Sequence, residues 1–392
     1  MLIDNGFEAD NVITMASNDM DSWNLTLSQN PYPGQLFTAP GSEAKDWYAD
    51  CKFDYEGDFV TPSNYLSVLT GNSDDENLQG GPVLSSTKED RVFLFFVDHG
   101  GVGKLCFPEG QYLYQDDFIA ALATMTEKEM YSELVFFVEA CEAGSMFTGS
   151  RGESLIPEDS KMYVNTASNA SQSSYAVFCP PFSRRDGEEI TTCLADLWNS
   201  YWYDAVTNDG GYELSLGDLF EVVKNETEGF ILGGSNPVEF GDVSFREERN
   251  GDFLVPVSSG NAVISTSPTF SGEGQAVKAE DVELNNRFYA YLKSKEIDDR
   301  ENEIDALIAE LQKRKKVDQI WKEITTIVPS DSSEDFHYNF ACIRQVDKRV
   351  LELLPFDDYN HIRHNKHVVY MCSRTLVADI ISAIDTTVAK YE

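Results

Sequence analysis

Two short runs without a polar residue constrain this 392-residue chain more than any other feature. Val92–Val97 and Leu134–Val138 are too short to cross a membrane and have no solvent-facing alternation. Each therefore reads as a strand buried on both faces of a parallel sheet. Between them, Asp116–Met130 reads as a helix. Its apolar residues Phe118, Ile119, Leu122 and Met125 recur at helical spacing, and Asp116 and Asp117 sit in the first turn, where the helix dipole favours them. Strand, helix, strand is a crossover unit, so the two strands are expected to be parallel neighbours. Met162–Thr166 reads as the next strand and Val12–Met15 as an earlier one. The expected fold is α/β: a mostly parallel sheet flanked by helices on both faces.

Residues 30–90 are rich in Pro, Gly, Asp and Ser and read as long surface loops. Residues 246–283 read as a linker after a first domain of residues 1–245. From 284 the pattern turns helical. Ile304, Leu307, Ile308, Leu311, Ile320, Trp321, Ile324 and Ile327 form one stripe that ends at Pro329. Further helices are expected over about 334–354 and 358–388, so residues 284–392 form an all-helical second domain.

Charge narrows the partners. Acidic residues number 67 against 30 basic, a net −37, and 46 of the acidic but only 14 of the basic ones lie in residues 1–280. Such a surface repels nucleic acid and anionic membranes. No apolar stretch reaches the length of a membrane span, since Leu376–Val388 is broken by Asp379 and Asp385. The first residues lack the basic start and apolar run of a signal peptide. The basic run Lys313–Lys316 reads either as a solvated helix face or as a surface held against the acidic first domain. Seven cysteines leave at least one thiol free unless chains pair. Sequons at Asn24, Asn169 and Asn225 lean towards the secretory route.

The chemistry concentrates where the two buried strands end. His99, the only histidine before residue 337, follows the first run and precedes Gly100 and Gly101. Cys141 follows the second run and precedes Ala143-Gly144-Ser145. Ligand sites in α/β sheets lie at the carboxyl ends of strands, so both side chains are expected on one rim. There a thiolate can attack while an imidazole carries its proton, and glycine amides can face a developing oxyanion. Singly, a histidine at a strand end is more often a hydrogen-bonded loop residue, and a cysteine after an apolar run more often core. The pairing across one crossover unit favours chemistry.

Phe96-Val-Asp-His-Gly-Gly101 and Phe137-Val-Glu-Ala-Cys-Glu-Ala-Gly-Ser-Met146 resemble the catalytic strand ends of the legumain family, the caspase-like asparaginyl endopeptidases. Asn30–Gly34, Tyr55–Pro62 and Ser173-Ser174-Tyr175 have family counterparts in the same order. The resemblance covers most of residues 1–245 and, more weakly, the helical region. It implies Cys141 as nucleophile, His99 as general base and acid, and the amides of Gly100 and Cys141 as oxyanion hole. It implies Glu139, Asp196, Ser173 and Ser174 around the pocket for a substrate asparagine. Spacing gives Asp98 no role. The helical domain would be an inhibitory prodomain released by acid, with autocleavage at Asn285 or Asn286 and a Cys342–Cys372 disulfide. Partners would be protein and peptide substrates, the compartment lysosomal, vacuolar or extracellular, and no cofactor or metal would be needed. His361, His364 and His367 read as a solvated helix face in preference to a zinc site.

The chain also departs from the family pattern. The family's first strand, with the loop that bears an asparagine and an Arg-His pair, has no counterpart. Unpaired backbone groups beside an interior strand are costly, so the chain as given is expected to be poorly folded or weakly active alone. Two other readings stay open: a lipid-anchor transamidase-like subunit, and a non-catalytic binding protein.

Overall fold

A computed structural model describes residues 1–18, 32–49, 51–207, 210–230, 235–255, 276–330, 336–354 and 362–391. In chain order, β1 (Met15–Ala16) pairs in parallel with β2 (Tyr55–Glu56), apart from the central sheet. Helix α1 (Pro62–Leu69) interrupts the expected loops. Its signal was present: Thr61 accepts from the Asn64 amide as N-cap, and Pro62 fills the first turn. Then come β3 (Arg91–Val97), β4 (Gly100–Gly101), β5 (Lys104–Phe107), β6 (Gln111–Tyr114), α2 (Gln115–Glu127), β7 (Glu133–Glu139) and β8 (Met162–Thr166).

The central sheet has the order β13 (Val238–Gly241), β8, β7, β3. Strands β3, β7 and β8 run parallel, as expected from the crossover, and β13 closes one edge antiparallel. Among the described residues β3 forms the other edge. One face packs on α2 through Phe118, Leu122 and Met125 against Leu134, Phe136 and Val138. The opposite face packs Val135 and Phe137 on α3 (Leu197–Thr207) and α4 (Leu216–Phe230). Alternate residues of β7 thus enter two different cores, which is why that strand is apolar throughout. Trp202 of α3 covers Phe93, Phe95 and Phe137.

Beside this sheet, β9 (Tyr175–Val177) is central to a small antiparallel one, and β10 (Arg184–Arg185) and β11 (Glu188–Glu189) form a hairpin. Strand β12 (Ala195–Asp196) lies on one side of β9, and β14 (Val277–Lys278) on the other. Short α5 (Gly251–Leu254) falls inside the expected linker. Helices α6 (Val282–Lys293), α7 (Ile297–Ile327), α8 (Phe340–Leu353), α9 (Asn365–Cys372) and α10 (Val377–Val388) complete the chain order. A core of their own joins Ile320, Trp321 and Ile324 to Ile343, Val346, Val369 and Ile384.

Among the described residues, two ionic contacts, one dry and one wet, link the helical region to the first domain, beside a buried hydrogen bond from Asn365 to the Val102 carbonyl at 3.1 Å. Lys104 Nζ lies 2.6 Å from Asp347 Oδ2, both side chains 1% exposed, and Tyr114 donates to the same oxygen at 3.0 Å. At the rim, Arg344 forks onto Asp116 and Asp117 at the start of α2. The basic run splits: Arg314 is buried, whereas Lys315 and Lys316 are exposed.

Candidate active site

The parallel register sets Val97 opposite Glu139, and the Asp98 amide donates to the Glu139 carbonyl at 3.2 Å. His99 and Cys141 therefore leave the sheet at one rim. Gly100 is needed there: a Cβ on it would collide with the Cys141 carbonyl oxygen. Asp98, to which spacing gives no role, accepts from the His99 amide at 2.6 Å and so fixes the backbone at the start of the histidine loop.

Cys141 is 3% exposed. Its sulfur receives the Ser174 amide at 3.3 Å and contacts the Ser174 hydroxyl at 3.6 Å. Ser168 braces the turn after it. Its hydroxyl donates to the Ala140 carbonyl at 2.9 Å and accepts from the Ala143 amide at 3.1 Å, so one side chain straddles the thiol-bearing residue. Between these contacts Glu142 takes a left-handed conformation, φ 49°. The resting charges are low. Burial pushes the Cys141 thiol well up, helped by the Glu142 carboxylate, with the Ser174 contacts opposing. Packing around the half-buried His99 ring pushes the imidazole down to about 4. The covered site thus holds a neutral thiol and a neutral imidazole.

Glu139 and Asp196 converge beside Cys141. Glu139 is buried, and its Oε2 accepts the Asn199 amide in the first turn of α3 at 3.0 Å, while Oε1 meets no hydrogen-bond donor among the described residues. Burial and the charge of Asp196 raise the Glu139 carboxyl far above the usual range. Burial also raises Asp196, to about 6. At neutral pH the pair therefore tends to retain a proton. Ser174 is buried beside them and Ser173 is half-buried.

The segment 276–281 lies across this site. Strand β14 pairs antiparallel with β9, Val277 opposite Ala176, and the Ala279 amide donates to the Ser174 carbonyl at 3.1 Å. Ser174 thus holds the thiol with its amide and a second segment of chain with its carbonyl. Arg314 of α7 anchors the end of that segment, bonding Glu310 at 2.9 Å, Asp281 at 2.6 Å and the Glu280 carbonyl at 3.1 Å. Glu280 and Glu142 are both raised by burial first. Glu142 reaches about 8, with the Glu280 charge adding and Lys366 and Lys278 opposing.

The remaining expected residues lie elsewhere. Asn285 and Asn286 fall in the first turns of α6, and buried Asn286 donates to Thr192 Oγ1 at 3.1 Å. Cys342 and Cys372 form a disulfide joining α8 to α9. A second disulfide, Cys179–Cys193, had no signal in the spacing. His364 and His367 do not form a solvated face. Both stack with Trp321, His364 Nε2 meets Asp318 at 2.9 Å, and His367 Nδ1 meets Ser330 at 2.7 Å. His361 lies outside the described residues, and among these no group of three metal-ligating side chains forms.

A vacuolar-processing enzyme of Phaseolus vulgaris is 31% identical over 322 residues, covering 81% of this chain and 62% of that protein. The vacuolar-processing enzyme beta-isozyme 1 of Oryza sativa subsp. indica is 35% identical over 246 residues, 62% of this chain and 47% of that one. A legumain of Canavalia ensiformis is 32% identical over 251 residues, 64% and 50% respectively. The chain thus spans about half to three-fifths of the length of these relatives. The model of the peptidase C13 family matches residues 1–256, and the chain belongs to that family.

Proposed function

We propose that this chain is a cysteine endopeptidase that cleaves after asparagine, and after aspartate at lower pH, and that its C-terminal helices hold it as a zymogen. The observation that carries this reading is the pairing of β14 with β9. The groove beside Cys141 accepts an extended peptide by main-chain hydrogen bonds, as a substrate would bind. Cys141 attacks the peptide carbonyl as His99 takes its proton, and the amides of Gly100 and Cys141 receive the oxyanion. His99 returns the proton to the leaving amine, and water hydrolyses the acyl-enzyme. A carboxyl pair retaining one proton suits the pocket for asparagine. The ionised member accepts from the amide N–H₂, and the protonated one donates to its carbonyl.

Maturation at Asn285 or Asn286 requires the first turns of α6 to unwind, because a peptidase needs extended chain. The relatives' names place them in vacuolar processing, and two disulfides suit an oxidising compartment of that route, vacuolar or lysosomal. The test is a panel of fluorogenic peptides ending in asparagine, aspartate, glutamine or alanine before the scissile bond, assayed on the acid-treated chain. Asparagine should be favoured over glutamine by at least tenfold, and Cys141→Ala should abolish cleavage. No asparagine preference would end the specificity reading. Cleavage surviving Cys141→Ala would take the nucleophile's role from Cys141, and cleavage absent in the parent would favour a binding protein.

A further inference from the structure

Cys141 and His99 stand on different loops, so their chemistry depends on what holds one loop to the other. Strands β4 and β5 form a hairpin that begins at His99 and turns at Val102 and Gly103, and the Cys106 amide returns to the His99 carbonyl at 2.9 Å. The turn after Cys141 contains Ser145, which is fully buried. Its hydroxyl accepts the Gly103 amide at 2.8 Å and faces the Gly101 carbonyl at 3.4 Å. Gln115, buried at the start of α2, completes a closed ring. Its amide donates to the Gly103 carbonyl at 3.0 Å, and its side chain donates to the carbonyls of Ser145 and of Thr148, the latter at 3.0 Å. The ring Gly103–Ser145–Gln115 contains no titratable group.

We propose that Ser145 is a positioning residue: its hydroxyl, backed by Gln115, locks the histidine hairpin against the nucleophile turn and so fixes the His99 ring and the Gly100 amide relative to Cys141. The hydroxyl is buried and its two contacts, Gly103 and Gly101, both belong to the histidine hairpin, so it ties that hairpin to the turn that carries Cys141. Replacing Ser145 by alanine leaves the Gly103 amide buried without an acceptor, and the hairpin must shift to find one. A displacement of about 1 Å at a reacting pair costs about a hundredfold in rate.

The inference rests on the thiol–imidazole reading above, so its test separates the two. Peptide hydrolysis is measured on the acid-treated full chain as parent, Ser145→Ala, Ser145→Thr and Gln115→Met. Iodoacetamide alkylation of Cys141 is followed against pH by peptide mapping, which distinguishes it from Cys51 and Cys106. Ser145→Ala and Gln115→Met should each lower kcat about 10- to 100-fold, with KM within twofold. Both should weaken the His99-dependent alkylation seen below the pH at which an ordinary thiol ionises. Ser145→Thr, which keeps the oxygen, should restore most of both. Thermal unfolding identifies any variant that has lost its fold, and Gln115→Met then carries the test. If the parent shows a His99-dependent limb and a folded Ser145→Ala and Gln115→Met keep it with unchanged kcat, the positioning role is overturned. If His99→Ala leaves the parent profile unaltered, the thiol–imidazole reading itself falls, and this role with it.

Discussion

Replacing His364 tests how acid acts on the helical region. The ring lies between Trp321 and Asp318, its side chain 15% exposed, and burial pushes it down to about 4. Asp318 opposes that shift, while Arg363 and His367 add to it. In the unfolded chain a histidine titrates near 6.5. Between those values the unfolded state binds more protons than the folded one, so stability is full above about 6.5 and falls as pH drops towards 4. Linkage over that shift gives a loss of about 2 kcal/mol between pH 7 and pH 5, and a ceiling of about 3.4 kcal/mol below pH 4. Urea unfolding of the parent and of His364→Gln, monitored by helix circular dichroism at both pH values, measures it. The variant should lose about 2 kcal/mol less than the parent on acidification, whatever its stability at pH 7. An identical loss in both would refute the argument and leave acid release to other groups. The carboxyls near Cys141 do not supply it. Glu142 and Glu280 are raised, so the folded state holds their protons and acid favours the covered arrangement there.

Three further outcomes are expected. Asp347→Ala strands Lys104 in a dry site and should cost about 3–5 kcal/mol in denaturant unfolding, whereas Lys104→Met with Asp347→Leu should recover most of it. Arg314→Ala frees Asp281 and the Glu280 carbonyl, so Cys141 should be alkylated at least tenfold faster at neutral pH; an unchanged rate would show that α7 does not hold the covering segment. Replacing Cys342 and Cys372 by serine opens a separation of 30 residues and should lower stability by about 3–4 kcal/mol, read as a shifted unfolding midpoint.

The parts legible in the sequence are those written in local periodicity. Two apolar runs and an amphipathic helix specify β3, α2 and β7, and with them the rim where His99 and Cys141 emerge. Contacts made by small polar side chains across the fold leave no such trace. Nothing near Ser145 or Ser168 in sequence announces that each grips a loop tens of residues away. Strand β14 is invisible because two residues have no period, although they decide what covers the thiol. His364 and His367 are packed rather than solvated, because spacing within one segment says nothing of the Trp321 that another helix brings against it. Over residues 62–69, the loop-like composition of a long window masks the local Thr-Pro start of a helix.

The two ionic contacts between the helices and the first domain respond differently to dissolved ions. Arg344 and its aspartates are a third to a half exposed, within reach of screening at ordinary ionic strength. Lys104 and Asp347 sit where no counterion can approach. Salt should therefore loosen the Arg344 edge first, while the Lys104–Asp347 pin and the buried hydrogen bonds from Asn365 to Val102 and from Asn286 to Thr192 keep the helical layer seated.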